Sequence, residues 1–338
     1  MEKRKFNSLD ICKLLMAFCV VAIHTHPLER CTVNVVNDIY ESFIRMAVPF
    51  FFLSSGFLLA HKFESLFHDP KNTVIVRDYL LKIVKMYVVW TIIYLPMAIY
   101  HLISSGKGVL RSILSYVRNF IFIGEQYNSW HLWYLLSTIY ALSIILIFLY
   151  LRLSPKKIII LSSFVFLISI SIDYLCTYNG NSNIFVELLI KMIKFSIGSG
   201  KILTGMFYIP FGMMLSKKQP NLAFSWSIFV CGYLLNVLVK NSYWSSIFVA
   251  ISAIGLFCVI NSFALPNSRV YPFVRKMSTI IYFVHMYIWS FYYMLIYGEK
   301  TYGLDCFLIT IIICLVVSAV SVAVMERYNK KGFKTTLC

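Results

Sequence analysis

Apolar runs of roughly twenty residues alternate with short polar and mostly basic connections along nearly the whole chain. The runs fall at 9–27, 43–60, 79–101, 131–151, 157–175, 201–216, 222–239, 243–263, 277–297 and 304–325. A bilayer core about 30 Å thick takes about twenty helical residues to cross, so the pattern predicts an all-α polytopic membrane protein of about ten transmembrane helices. The sixth run is the shortest and carries Gly198, Gly200, Gly205, Pro210 and Gly212, which points either to a broken span or to one that leans against a cavity. Between the third and fourth runs, Ile113, Leu114, Val117, Phe120 and Ile121 in RSILSYVRNFIFI have helical spacing and predict a short helix lying in the interface. Residues 176–200 combine a polar TYNGNSN stretch with a weakly amphipathic VELLIKMIKFSI, and 61–78 reads as a polar, basic loop. No internal repeat, low-complexity tract or soluble module interrupts the pattern, so 1–338 is expected to form a single domain with cytoplasmic tails at about 1–8 and 326–338. The first run is too long and too polar for a cleaved signal segment and is read as a retained span.

Charge orients these spans. The 31 Lys and Arg outnumber the 14 Asp and Glu. In a soluble protein that excess would suggest nucleic acid, but a chain 59% hydrophobic and 13% charged is better explained by positive residues collecting on the cytoplasmic side. With the N-terminus inside, twenty of the 31 basic residues fall inside and eight outside; Lys13, Arg45 and Lys201 remain in or at the membrane. An even number of spans brings the C-terminus back to the cytoplasm. The nine cysteines lie mostly in apolar runs without a CxxC, as small buried hydrophobes rather than metal ligands; one bridge among Cys31, Cys176 and Cys306 is the alternative.

Ionisable residues inside spans are the candidates for function, because each costs roughly 2.5–3.5 kcal/mol to insert. The stretch SLDICKLLMAFCVVAIHTHP, Ser8 to Pro27, contains Asp10, Lys13, His24 and His26. Lys13 and His24 are eleven residues apart, about three turns and roughly 16 Å of rise, which places both on one helix face at different depths. Snorkelling of Lys13 and an interfacial position for His26 are the structural alternatives. Arg45 opens the second span and could meet a substrate anion or snorkel. Behind it Pro49, Ser54, Ser55 and Gly56 permit close helix approach. Trp130, His131, Trp133 and Tyr134 open the fourth span: His131 at the depth of His24 is a site candidate, while the aromatics also fit an interfacial belt. His285, mid-span in the ninth run, reads either as a site residue or as a packing residue. No His or carboxylate pair has the spacing of a zinc site, so no metal is expected.

The Lys13-x10-His24 pair, FFFLSSGFLL at Phe50 to Leu59, WHLWYL at Trp130 to Leu135, YIPFGMML at Tyr208 to Leu215 and IYFVH at Ile281 to His285 together resemble the membrane-bound acyltransferase-3 family over nearly the whole chain. VVAIHTHPL, RMAVPFFFLSSGF and WHLWYL are most similar to the membrane half of the vancomycin-resistance serine racemases, a half linked to serine uptake. The resemblance implies a ten-span protein of the bacterial plasma membrane. Such a protein moves an acyl group, commonly acetyl, from cytoplasmic acyl-CoA to a hydroxyl of an envelope polysaccharide, a lipid-linked acceptor or a small acceptor.

Carried onto this chain, the resemblance puts His24 near the chemistry; a near-neutral imidazole there suits a general base, and His131 and Tyr134 are expected to orient acceptor or oxyanion. Lys13 is placed toward the donor and Arg45 is expected at the outer mouth; Arg45, Tyr134, Lys201 and His285 are the further candidates for binding the acyl-CoA donor. Two positions depart from the pattern. Lys13 stands where Arg is usual, and in GKILTGMFY (Gly200 to Tyr208) Leu203 and Thr204 replace a polar pair that Lys201 could offset. No pyridoxal chemistry is expected from these residues. The competing expectation is a transporter of a small solute such as serine, and a third is a relative that only binds a partner.

Overall fold

The computed structural model describes residues 6–64, 67–104, 106, 108–177, 183–239 and 241–330, and all regular structure among them is helical. In chain order the helices are α1 (Asn7–Thr25), α2 (Asn34–Ile44), α3 (Ala47–Ala60), α4 (Pro70–Ser104), α5 (Val109–Arg118), α6 (Trp133–Tyr150), α7 (Pro155–Thr177), α8 (Ile184–Ile197), α9 (Gly205–Leu215), α10 (Leu222–Leu238), α11 (Ser242–Ser262), α12 (Val270–Ile296) and α13 (Leu304–Lys330). Eight segments among the described residues are long and apolar enough to cross a membrane, counting Asn34–Ala60 as one. The shorter apolar helices Lys201–Leu215 and Leu222–Leu238 occupy the positions of the sixth and seventh expected spans. The basic tails lie largely outside the described residues, as do residues 178–182 of TYNGNSN.

Three boundaries differ from the hydropathy pattern. The third helix begins at Pro70, inside the expected loop 61–78, because helix formation answers to caps as well as to apolarity. Proline suits the first helical position, and the Asp69 carboxylate accepts the Lys71 N–H at 2.8 Å while its carbonyl accepts that of Asn72 at 2.9 Å. The ninth expected span likewise extends back to Val270. Helix α2, NVVNDIYESFI, was hidden by Asn, Asp and Glu that dilute its hydropathy. The sixth span begins with a 3₁₀ turn at Lys201–Leu203, followed by α9, which continues through Pro210.

Residue contacts gather into two compact units, Met1–Phe51 with Pro220–Val239 and Phe248–Cys338, and Phe52–Gln219 with Lys240–Ile247. In the first, Ala17 and Val21 of α1, Ile281 of α12 and Cys314 of α13 form a fully buried centre, sealed by Phe18, Phe51, Val284 and Leu315. A second cluster, Met277, Ile280 and Val322, continues the α12–α13 seam. The start of α1 is anchored by Asn7, whose side-chain amide donates to the carbonyls of Leu265 and Pro266 at 3.2 and 3.0 Å.

The second unit is built on close backbone approach. A Cβ on Gly56 of α3 would come 2.0 Å from the Ile209 carbonyl oxygen, and one on Gly212 of α9 would come 2.2 Å from that of Leu53. Only glycine lets these helices lie this near, where lipid gives no hydrophobic incentive and packing decides. Ser137 of α6 pins the turn at the start of the sixth span: its hydroxyl donates to the Ile202 carbonyl at 2.8 Å and accepts the Gly205 N–H at 3.0 Å. The eight described cysteines carry no disulfide.

Substituting Gly56 by Ala should cost about 1–3 kcal/mol, read as a lowered thermal unfolding midpoint in detergent. Gly108→Ala, with nothing within 4 Å of its added Cβ, should leave that midpoint unchanged.

Candidate functional site

Helix α1 contains neither Gly nor Pro and runs unbroken past His24. It ends at His26, whose left-handed φ of 43° lets its N–H cap the Ala22 carbonyl at 3.0 Å just before Pro27. This continuity holds Lys13 and His24 on one rod, so what each meets depends on the helix alongside. That helix is α12.

At the N-terminal end, the Arg275 guanidinium lies 3.7 Å from the largely buried Asp10 carboxylate, and Lys13 lies within electrostatic range of both. Toward the C-terminal end, the rings of His24 and His285 approach with centroids 5.3 Å apart and planes tilted by 31°. The pairings Asp10 with Arg275 and His24 with His285 run in the same sequence direction, so α1 and α12 are parallel. His285 is fully buried, and its Nδ1 lies 3.1 Å from the Ile281 carbonyl. A carbonyl only accepts, so Nδ1–H is the donor and Nε2 is the acceptor nitrogen of the neutral ring.

The seven residues singled out by sequence divide between the two units. Lys13, His24, Arg45 and His285 belong to the first. Arg45 is exposed at the junction of α2 and α3, within electrostatic range of Glu41. Sequence reasoning missed Asp10 and Arg275 as members of the Lys13 cluster. Asp10, one turn before Lys13, was a visible signal, whereas Arg275 read only as one of many basic residues flanking a span.

His131, Tyr134 and Lys201 belong to the second unit. His131 is buried in a 3₁₀ turn, edge-on to Tyr94 with centroids 5.1 Å apart. The Tyr134 hydroxyl is hydrogen-bonded to that of Ser55 at 3.0 Å, with its ring 4.4 Å from Phe52. Lys201 pairs with Glu125 at 3.3 Å, a commitment its sequence neighbourhood did not announce. Among the described residues no group of three or more His, Cys, Asp and Glu is placed to hold a metal ion.

The chain matches the acyltransferase-3 family, described as an acyltransferase domain, over residues 6–326. It is similar to an amino-acid racemase of Enterococcus faecalis, 31% identical over 225 residues, which are 64% of this chain and 30% of the racemase. A second amino-acid racemase from that organism is 25% identical over 227 residues, 65% of this chain and 29% of the relative. A serine/alanine racemase of Enterococcus gallinarum is 30% identical over 169 residues, 50% of this chain and 23% of the relative. The matched stretches thus cover less than a third of each of these relatives. No solved structure matches the chain.

Removing the Ser55–Tyr134 hydrogen bond by Ser55→Ala or Tyr134→Phe should each cost about 1 kcal/mol. Because the Ser55 hydroxyl also hydrogen-bonds Tyr79, Ser55→Ala should cost at least as much as Tyr134→Phe, and the double variant about as much as Ser55→Ala alone. The coupling in a double-mutant cycle of thermal unfolding in detergent then reports the Ser55–Tyr134 bond.

Proposed function

Because the chain belongs to the acyltransferase-3 family, we propose that it is an integral-membrane O-acyltransferase. It moves an acyl group, acetyl in the simplest case, from cytoplasmic acyl-CoA to a hydroxyl of a cell-envelope acceptor. The observation that carries this reading is the division of labour along α1 and α12, with cations at one end and an imidazole pair at the other. Arg275 and Lys13 share the single Asp10 carboxylate, so the cluster keeps a net positive charge for a phosphate of the donor. His24 takes the proton of the acceptor hydroxyl as its oxygen bonds to the acyl carbon, while the carbon–sulfur bond of the thioester breaks and the thiolate leaves. His285 acts on His24 as a positioning residue, its own ring held by the Ile281 carbonyl.

The distribution of basic residues supports N- and C-termini on the cytoplasmic side of a bacterial plasma membrane. That orientation puts Lys13 in the cytoplasmic half, with the donor, and His24 in the outer half, with the acceptor.

The similarity to enzymes named amino-acid and serine/alanine racemases favours a second reading, in which the chain carries a solute such as serine across the membrane in support of glycopeptide resistance. Proteoliposomes separate the two. Under the first reading the protein consumes acetyl-CoA, and His24→Ala lowers transfer at least about 100-fold at unchanged protein level. Serine uptake without acetyl-CoA consumption, unaffected by His24→Ala, would replace the first reading by the second.

A further inference from the structure

The second unit contains an open cavity of about 1060 Å³ between the end of α4, α5, the segment 119–130 and α8. Its position is fixed from beneath. A π-helical turn, Asn119–Ile123, follows α5, and Tyr87 and Tyr140 donate to its Phe120 and Ile121 carbonyls at 2.7 and 3.0 Å. The Gln126 amide donates to the Tyr116 carbonyl at 2.7 Å, and His101 stacks on Tyr127 with centroids 4.0 Å apart.

Charge in the cavity is one-sided. Arg111, Ser115 and Arg118 follow one another at helical spacing and all line it, so α5 turns a cationic face inward. The one carboxylate in the lining, Glu125, is held by Lys201 at 3.3 Å. Neither arginine pairs with an acidic group among the described residues. Arg118 is oriented for use: Nε and Nη2 donate to Asn119 Oδ1 at 3.1 and 2.7 Å, and the guanidinium lies 4.7 Å over the Phe195 ring. That arrangement leaves Nη1 without a hydrogen bond among the described residues.

The walls are apolar where the floor is cationic. Helix α5 has no buried residue, and Leu110, Leu114 and Val117 are exposed along it. Helix α8 exposes Leu188, Met192 and Phe195. In an integral membrane protein such faces lie against acyl chains, and two amphipathic helices flanking a cationic cleft match a ligand with a chain at one end and an anion at the other. A soluble anion would have no use for the exposed leucines.

We propose that this cavity binds a membrane lipid through its phosphate headgroup, with the two arginines on the phosphate oxygens and the lipid chain along α5 and α8. The site stands apart from the acyl-transfer reading and does not depend on it.

The test is native mass spectrometry of the full-length protein in detergent with phosphatidylglycerol, a polyprenyl phosphate or diacylglycerol added. Both phosphate lipids should be retained and diacylglycerol should not; a preference between the first two identifies the source. Arg111→Gln with Arg118→Gln should weaken retention at least tenfold, and Arg118→Lys should keep most of it. On the unaltered protein, a photoreactive phosphatidylglycerol should label residues 109–127 or 184–197. Equal retention of diacylglycerol, unchanged retention by the folded double glutamine variant, displacement of the lipid by inorganic phosphate alone at equal concentration, or labelling confined to other segments would overturn the proposal.

Discussion

An ionisable side chain on a membrane helix has to find a partner inside the protein, and in the first unit this requirement ties α1 to α12. Asp10 meets Arg275 and His24 meets His285, so two polar contacts on one face set the register and the parallel direction of two helices whose other contacts are non-directional aliphatic packing. A single uncompensated charge in a span costs about as much as burying one or two aliphatic side chains gains, so these contacts weigh on register rather than on total stability. The apolar centre of Ala17, Val21, Ile281 and Cys314 fits between these fixed points.

The second unit is held together differently. Its tightest contacts are glycine against carbonyl, at Gly56 with Ile209 and Gly212 with Leu53, and serine hydroxyls on backbone groups around the 3₁₀ turn, Ser137 on Ile202 and Gly205 and Ser169 on Gly200. Where lipid surrounds the helices, dispersion between closely approached backbones takes the place of the hydrophobic effect, and hydroxyls brace the backbone around the turn. The 3₁₀ start of the sixth span is therefore a supported feature of the architecture.

These two ways of holding helices bear on function. The polar face of α1 is held by its partners on α12, which fixes the separation of His24 and Lys13 on one rod, the geometry that the proposed acyl transfer uses. Arg45 and Lys201, comparable cations by sequence, are placed elsewhere. One is exposed beside Glu41 at a helix junction and the other is paired with Glu125, 76 residues away in the sequence.

Local patterning along the chain is enough to specify the class of structure and most of its elements. Runs of twenty apolar residues cannot be soluble, the glycines around residue 200 precede a 3₁₀ turn at the start of the sixth span, and the spacing of Ile113, Leu114 and Val117 makes α5 an exposed amphipathic helix, all of which are local properties of the chain. It also placed Lys13 and His24 on one face of α1, since helical period is local too. Tertiary structure alone decided what that face touches. Arg275 and His285 are more than 250 residues away from the side chains they meet, and nothing in the sequence ranks them above Arg45 or His131 as partners for α1. The start of α4 at Pro70 shows the same limit on a smaller scale, where a cap formed by Asp69 outweighed the polarity of the turns that follow. Periodicity records which side of a helix is apolar; which helix covers that side is settled by packing, which no single segment encodes.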